Sequence, residues 1–246
     1  MKVFHSSYNL YNHSKNEILF RQELIQNTCY ISNKLYQDLL SRKIKEKSHI
    51  IYKKIKENGI KIIPIYSKNY IRNLEKMYDP PFALFVKGDF SILENMNKKK
   101  KVFIYKNKKF SEYGNKIYDS INSYILTKDC FSIHILDCKN KCNFIEMIKV
   151  TNKKSDISFI DICDNENQNI KNKYNSIIAG ISDIMVIPEA SFNIEINNMV
   201  EIYLELGKDI LVIPGNIYSN TSYFSNILIK EGAEVILKNS DLDIYL

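Results

Sequence analysis

The stretch Asn175–Gly215, NSIIAGISDIMVIPEASFNIEINNMVEIYLELGKDILVIPG, holds two short apolar runs, IMVI and ILVI, each closed by a proline, with a helical segment between them that stops at Gly207. Runs without polar alternation are what strands buried on both faces look like, and a helix between two such runs is the usual link between parallel neighbours. The same alternation continues outward from this stretch. Upstream lie KVFIY (Lys101–Tyr105), a helix from Ser111 to Ile125 with Ile117, Ile121 and Tyr124 on one face, FSIHIL (Phe131–Leu136), ISFIDI (Ile157–Ile162) and a helix through NSIIAGI. Downstream, a helix is expected around YFSNILIKEG (Tyr223–Gly232). The pattern predicts an α/β fold: a Rossmann-like, doubly wound, mostly parallel sheet whose ligand site lies at the carboxyl ends of its strands.

Before this core the chain reads differently. Residues 1–57 form a small, mostly helical N-terminal region, with Ile44, Ile51 and Ile55 at helical spacing and Gly59 placed to cap the last helix. Residues 58–246 then make the Rossmann-like domain. It opens with a strand in IKIIPIY (Ile60–Tyr66), a polar link SKNYIRNLEKMYDPP, and an extended FALFVKG segment that Pro80 and Pro81 keep from being helical.

A chain of 246 residues can bury a core without disulfides or metals. It contains no apolar run long enough for a membrane span, and its first residues lack the apolar stretch of an export signal, so a cytoplasmic protein with no membrane partner is expected. Five cysteines are an odd set for a disulfide framework and are expected as thiols. The spacing Cys130, His134, Cys138, Cys142 would suit a metal on a continuous helix, but FSIHIL alternates like a strand. No metal and no cofactor are expected.

Charge is segregated along the chain. Residues 1–154 carry 30 Lys+Arg against 14 Asp+Glu, and residues 155–246 carry 5 against 14. Eight lysines and one glutamate fall between Lys98 and Lys116, a density that attracts polyanions, although a solvated lysine-rich face is the commoner meaning of such a run.

Three segments resemble the DNA-processing protein A (DprA, or Smf) family. They are NSIIAGISDIMVIPEA (Asn175–Ala190), LELGKDILVIPGNIY with SNILIKEGAEVI (Leu204–Tyr218 and Ser225–Ile236), and NGIKIIPIYSKNYIRNLEKMYDPPFALFVKGD (Asn58–Asp89). The family pattern is matched at Asn175, Ile177, Ile178, Ala179, Gly180 and Ser182, then at Glu189, Ala190, Gly207, Pro214 and Gly215, and finally at Asn226, Leu228, Ile229, Gly232 and Ala233. Departures concentrate where the family meets DNA. The Gly-Ser-Arg turn after the first Rossmann strand is here Lys106, Asn107, Lys108, followed by Lys109, before the pattern resumes at Tyr113 and Gly114. The Ser-Gly-Leu-Ala loop corresponds to ILDCKNKC, which keeps only Lys139 as a basic group, and Ser176 stands where the family has arginine. The chain is also short between ILDCKNKC and NSIIAG and ends without the winged helix of some relatives, so it is similar to a reduced, divergent member.

The resemblance implies a non-enzymatic protein that binds single-stranded DNA during uptake and transformation, loads the RecA recombinase and forms a homodimer. The residues it marks for DNA are Lys106, Asn107, Lys108, Lys109, Lys139, Asn175 and Tyr113, with Tyr105 as a second ring for stacking. Tyr218, Tyr223 and Phe224 are expected to be exposed and available for self-association. Ser111 reads as a helix N-cap, Glu189 as a carboxylate satisfying backbone amides beside Asn175, and Asn226 as a brace of the last helix. Two other readings compete. A degenerate paralogue would keep fold and dimer contacts without DNA, and a phosphoribohydrolase of the lysine-decarboxylase-like group would need Pro-Gly-Gly-x-Gly-Thr, which VIPEASFNIEI lacks.

Overall fold

The computed structural model describes residues 42–77, 80–106, 110–136, 144–162 and 170–246. They divide into two compact units, residues 42–70 with 80–86 in the first, and residues 71–77 with those described from 87 to 246 in the second, while residues 1–41 of the expected helical N-terminal region lie outside the described residues.

In the first unit, helix α1 (Arg42–Glu57) buries Ile55 and ends as its sequence suggests. Gly59 takes a left-handed φ of 68°, and the Ile60 N–H closes the turn onto the Ile55 carbonyl. Strand β1 (Lys61–Pro64) then pairs antiparallel with β2 (Ala83–Gly88), with Lys61 opposite Val86 and Pro64 opposite Ala83. The Tyr70 hydroxyl donates to the Pro81 carbonyl, which ties the return of the chain to this hairpin.

The second unit begins with short helices α2 (Arg72–Glu75) and α3 (Ser91–Met96) and continues as alternating strands and helices. The strands are β3 (Lys101–Ile104), β4 (Phe131–Ile135), β5 (Phe144–Thr151), β6 (Asp156–Ile162), β7 (Ile184–Ile187), β8 (Asp209–Val212) and β9 (Glu234–Val235). The helices are α4 (Glu112–Thr127), α5 (Ile170–Ile181), α6 (Ile194–Glu205) and α7 (Tyr223–Lys230), and a 3-10 turn at Asn239–Ile244 follows β9. Within this unit the strand order is β6-β5-β4-β3-β7-β8-β9. Strands β4, β3, β7, β8 and β9 run parallel, with Phe103 between Ile133 and Met185.

Period-two alternation sends the side chains of β3 to opposite layers. Val102 and Ile104 pack with Ile121 and Ile125 of α4, whereas Phe103 stacks on Tyr203 of α6 at 6.4 Å between ring centroids. Helices therefore cover both faces, as continuous apolar strands require. Truncating one of these buried isoleucines to alanine costs about 2–5 kcal/mol.

The expected elements of the parallel core are all present. The departure is β5, which the sequence reading did not anticipate. It pairs antiparallel with both β4 and β6, so the sheet is mixed at this end. At the amino edge, the buried Lys101 pairs with Asp183 at 2.8 Å, and the Lys208 ammonium donates to the carbonyls of Ala179, Gly180 and Ser182, closing the end of α5.

Candidate nucleic-acid interface

Strands β3, β7 and β8 are parallel neighbours, so the loops that leave them emerge together at one edge of the sheet. Each loop contributes one part of a fixed frame. Ser111 caps α4, its hydroxyl accepting from the Gly114 N–H at 3.0 Å. Glu189, two residues past β7, accepts from the Ser111 N–H at 2.9 Å, the Ser111 hydroxyl at 2.8 Å, the Thr221 hydroxyl at 2.7 Å and the Ser222 hydroxyl at 3.2 Å. Asn226 exchanges two bonds of 3.1 Å with the backbone of Gly215 after β8. A Cβ at Gly114 would overlap the Glu189 carboxylate, and one at Gly215 would overlap Ser222, so both glycines are demanded by close approach.

Burial pushes the Glu189 carboxyl up, but the Ser111 N–H and the hydroxyls of Thr221, Ser111 and Ser222 outweigh it and hold the group below its ordinary value. It stays an anion. The amino end of α4, where unpaired N–H groups would draw a phosphate, is thus filled by a carboxylate of the chain itself. Glu189 serves a structural role as expected, although its described partners are Ser111, Thr221 and Ser222.

Beside this frame lies a second network around Lys106. Its ammonium stands over the Tyr118 ring, 4.8 Å from the centroid. The Tyr118 hydroxyl meets His134 Nδ1 at 2.6 Å, His134 Nε2 meets the Ser132 hydroxyl at 2.9 Å, and that hydroxyl donates to Asn122 Oδ1 at 2.8 Å. Because the single Ser132 proton goes to Asn122, His134 Nε2 carries the proton and Nδ1 accepts from Tyr118. The imidazole is held neutral. Burial first, then the nearby Lys106 and Lys149, push His134 down to about 4, while burial, with Asp119 adding to it, pushes Tyr118 up to about 12.

Of the residues marked for DNA, Lys106 is exposed at the end of β3, and Tyr113 is exposed on α4 with its hydroxyl donating to the Pro214 carbonyl at 3.0 Å. Asn175 lies in α5 and is buried. Asn107, Lys108, Lys109 and Lys139 lie outside the described residues. Tyr105 is only 8% exposed, which removes it as a stacking ring: the residue after a fully buried strand is still under cover. Phe224 is also buried, packed edge-on against Phe192 at 5.3 Å, so only Tyr218 and Tyr223 of the three aromatics expected at the surface are there. Sequence reading missed the His134 network, since a strand histidine carries no signal until its neighbours are known.

A mostly parallel, doubly wound sheet with helices on both faces and an exposed lysine at its carboxyl edge defines a Rossmann-like α/β protein. The family model for DNA recombination-mediator protein A matches residues 139–245. DNA processing protein DprA of Bacillus subtilis (strain 168) is 24% identical over 217 residues, covering 76% of this chain and 71% of the relative. Among solved structures, DprA of Streptococcus pneumoniae superposes with a TM-score of 0.62 at 16% identity, over 97% of this chain and 95% of that one. DNA processing protein A of Helicobacter pylori, solved to explain its single-stranded-DNA binding mode, gives 0.55 at 15% identity over 75% of this chain and 94% of that one. The chain is thus similar to DprA proteins over most of its length, and residues 139–245 match the family model itself.

Proposed function

We propose that this protein binds single-stranded DNA at the carboxyl edge of its parallel sheet and acts in DNA uptake and recombination by handing the strand to the RecA recombinase, as a cytoplasmic homodimer without catalytic activity. The observation that carries the reading is the exposed Lys106 at the end of β3, inside a lysine-rich segment and on the same edge as Tyr113, in a chain similar to DprA proteins. Filling of the α4 amino end by Glu189 argues against a bound nucleoside phosphate and so against nucleotide chemistry. Lysines hold phosphates as point charges, without the paired geometry of arginine, so binding is weaker than an arginine turn would give.

The test is titration of a labelled oligonucleotide, single- and double-stranded, at two salt concentrations. Binding that prefers the single strand and weakens with salt is expected. No binding to either at low salt would leave a paralogue that keeps the fold alone.

A further inference from the structure

From Ile210 to Ile229 the chain has no charged residue, although 26% of all its residues are charged. This stretch forms the end of β8, the following loop and most of α7, and its uncharged surface sets exposed apolar side chains beside the neutral Asn216 and Asn220. Tyr218 is 91% exposed and Ile217 77%, and Tyr223 is exposed at the start of α7. Phe192, from the loop after β7, is also exposed and packs edge-on against the buried Phe224, next to Tyr223. Tyr113 joins this surface through its bond to Pro214.

The backbone beneath these rings is held in place. The Tyr218 N–H donates to Asn216 Oδ1 at 2.9 Å, the Ser219 N–H to the Asn216 carbonyl at 3.0 Å, and Thr221 and Ser222 are anchored on Glu189. Rings presented by a fixed loop lose little freedom on meeting a partner, because tyrosine has only two side-chain torsions to restrict.

We propose that this uncharged face is where the unpaired bases of single-stranded DNA stack, with Tyr218 as the central platform, while the phosphates turn toward Lys106; the inference rests on the DNA-binding reading above. The charge distribution selects this occupant. Residues 155–246 carry 14 acidic against 5 basic groups, so a phosphate backbone is repelled by that half of the chain, whereas neutral base faces are not. A single strand is itself two-sided, with charge along one side and aromatic surface along the other, and the edge of the sheet offers the matching pair. A duplex hides its base faces and presents phosphates outward, so this face also accounts for a preference for single strands.

The chain has no tryptophan, so Tyr218→Trp in the full-length protein places one reporter on the platform. It is titrated with oligo-deoxythymidine and with an abasic strand of the same length. Quenching by the thymidine strand and none by the abasic one is expected. The parent should bind the thymidine strand about tenfold more tightly or better, as loss of one stacked base implies. Tyr218→Ala combined with Phe192→Ala should bring that ratio toward one and leave abasic affinity unchanged. A double variant that keeps the parent's ratio overturns the stacking face, as does a parent that binds both strands equally, and either leaves DNA binding itself intact. A parent that binds neither strand sinks both readings. If Tyr218→Ala instead turns a dimer into a monomer on sedimentation while the ratio holds, the face is a self-association surface and the proposal is wrong.

Discussion

Between Tyr118 and Ser132 the His134 ring has one nitrogen that accepts and one that donates, so a second proton has nowhere to go without breaking the Tyr118 bond. Its folded value near 4 lies below the ordinary 6.5, so folding favours the neutral ring. The stability this contributes is complete above about pH 6.5 and is lost as pH falls toward about 4, where the loss reaches on the order of 3 kcal/mol. Melting the protein from pH 8 to pH 4 should show Tm falling through that window, with a shallower fall in His134→Gln. Equal slopes in parent and variant would remove His134 from the account. Glu189 makes a different kind of demand, because its four donors all need an acceptor. Glu189→Gln turns an amide N–H₂ toward some of them and should cost about 2–3 kcal/mol in urea unfolding. Hydrolysis of a nucleoside monophosphate by the parent but not by this variant would instead make Glu189 a catalytic base.

At the scale of elements, the amino end of α4 reverses an ordinary rule. Glycine inside an exposed helix is about 1 kcal/mol worse than alanine, so Gly114→Ala should stabilise a free helix. Here the added methyl overlaps the Glu189 carboxylate, and the variant should melt lower than the parent. A higher Tm would mean that the carboxylate moves aside without loss. The same comparison shows what the sequence could convey. The Ser111 cap, the Gly59 stop and the parallel core were legible, because caps and unbroken apolar strands depend on neighbours in the chain. Strand β5 was not. Ile148 and Val150 are buried while Lys149 faces out, but the bulge between Glu146 and Ile148 shifts the register and breaks the alternation that would have marked it. Burial of Tyr105 and Phe224 was illegible for a related reason, since rings at strand and helix ends are covered by elements far away in sequence. Of the candidate interface, the lysines could be read directly, but the neighbourhood of Tyr113, Pro214 and Glu189 exists only once three loops meet.

Across the whole molecule, basic and acidic halves are separated in sequence, and the parallel sheet brings the basic β3 end to the same edge as the uncharged β8 loop, with the β7 loop and its hydrogen-bonded Glu189 between them. Binding by such an arrangement should be driven largely by counterion release from the strand, which makes salt the most direct probe. If about four to six phosphates are neutralised, log K should fall against log salt with a slope of about −3 to −4, at roughly 0.7 per single-strand phosphate. Replacing Lys106, Lys108 and Lys109 together by glutamate should abolish measurable binding at moderate salt. Each loop charge contributes little to stability, so the circular-dichroism spectrum of the variant should match the parent's. Its Tm should fall only slightly, by whatever the Lys106 contact with Tyr118 supplies. With Lys106 gone, one of the two cations that depress His134 is also gone, and its titration should move up toward the ordinary value. That shift, read by NMR, separates a folded variant that has lost its phosphate contacts from one whose α4 face has come apart. If the triple variant binds a single strand as well as the parent does, the strand runs elsewhere, and the lysines between Lys43 and Lys56 become the next to replace.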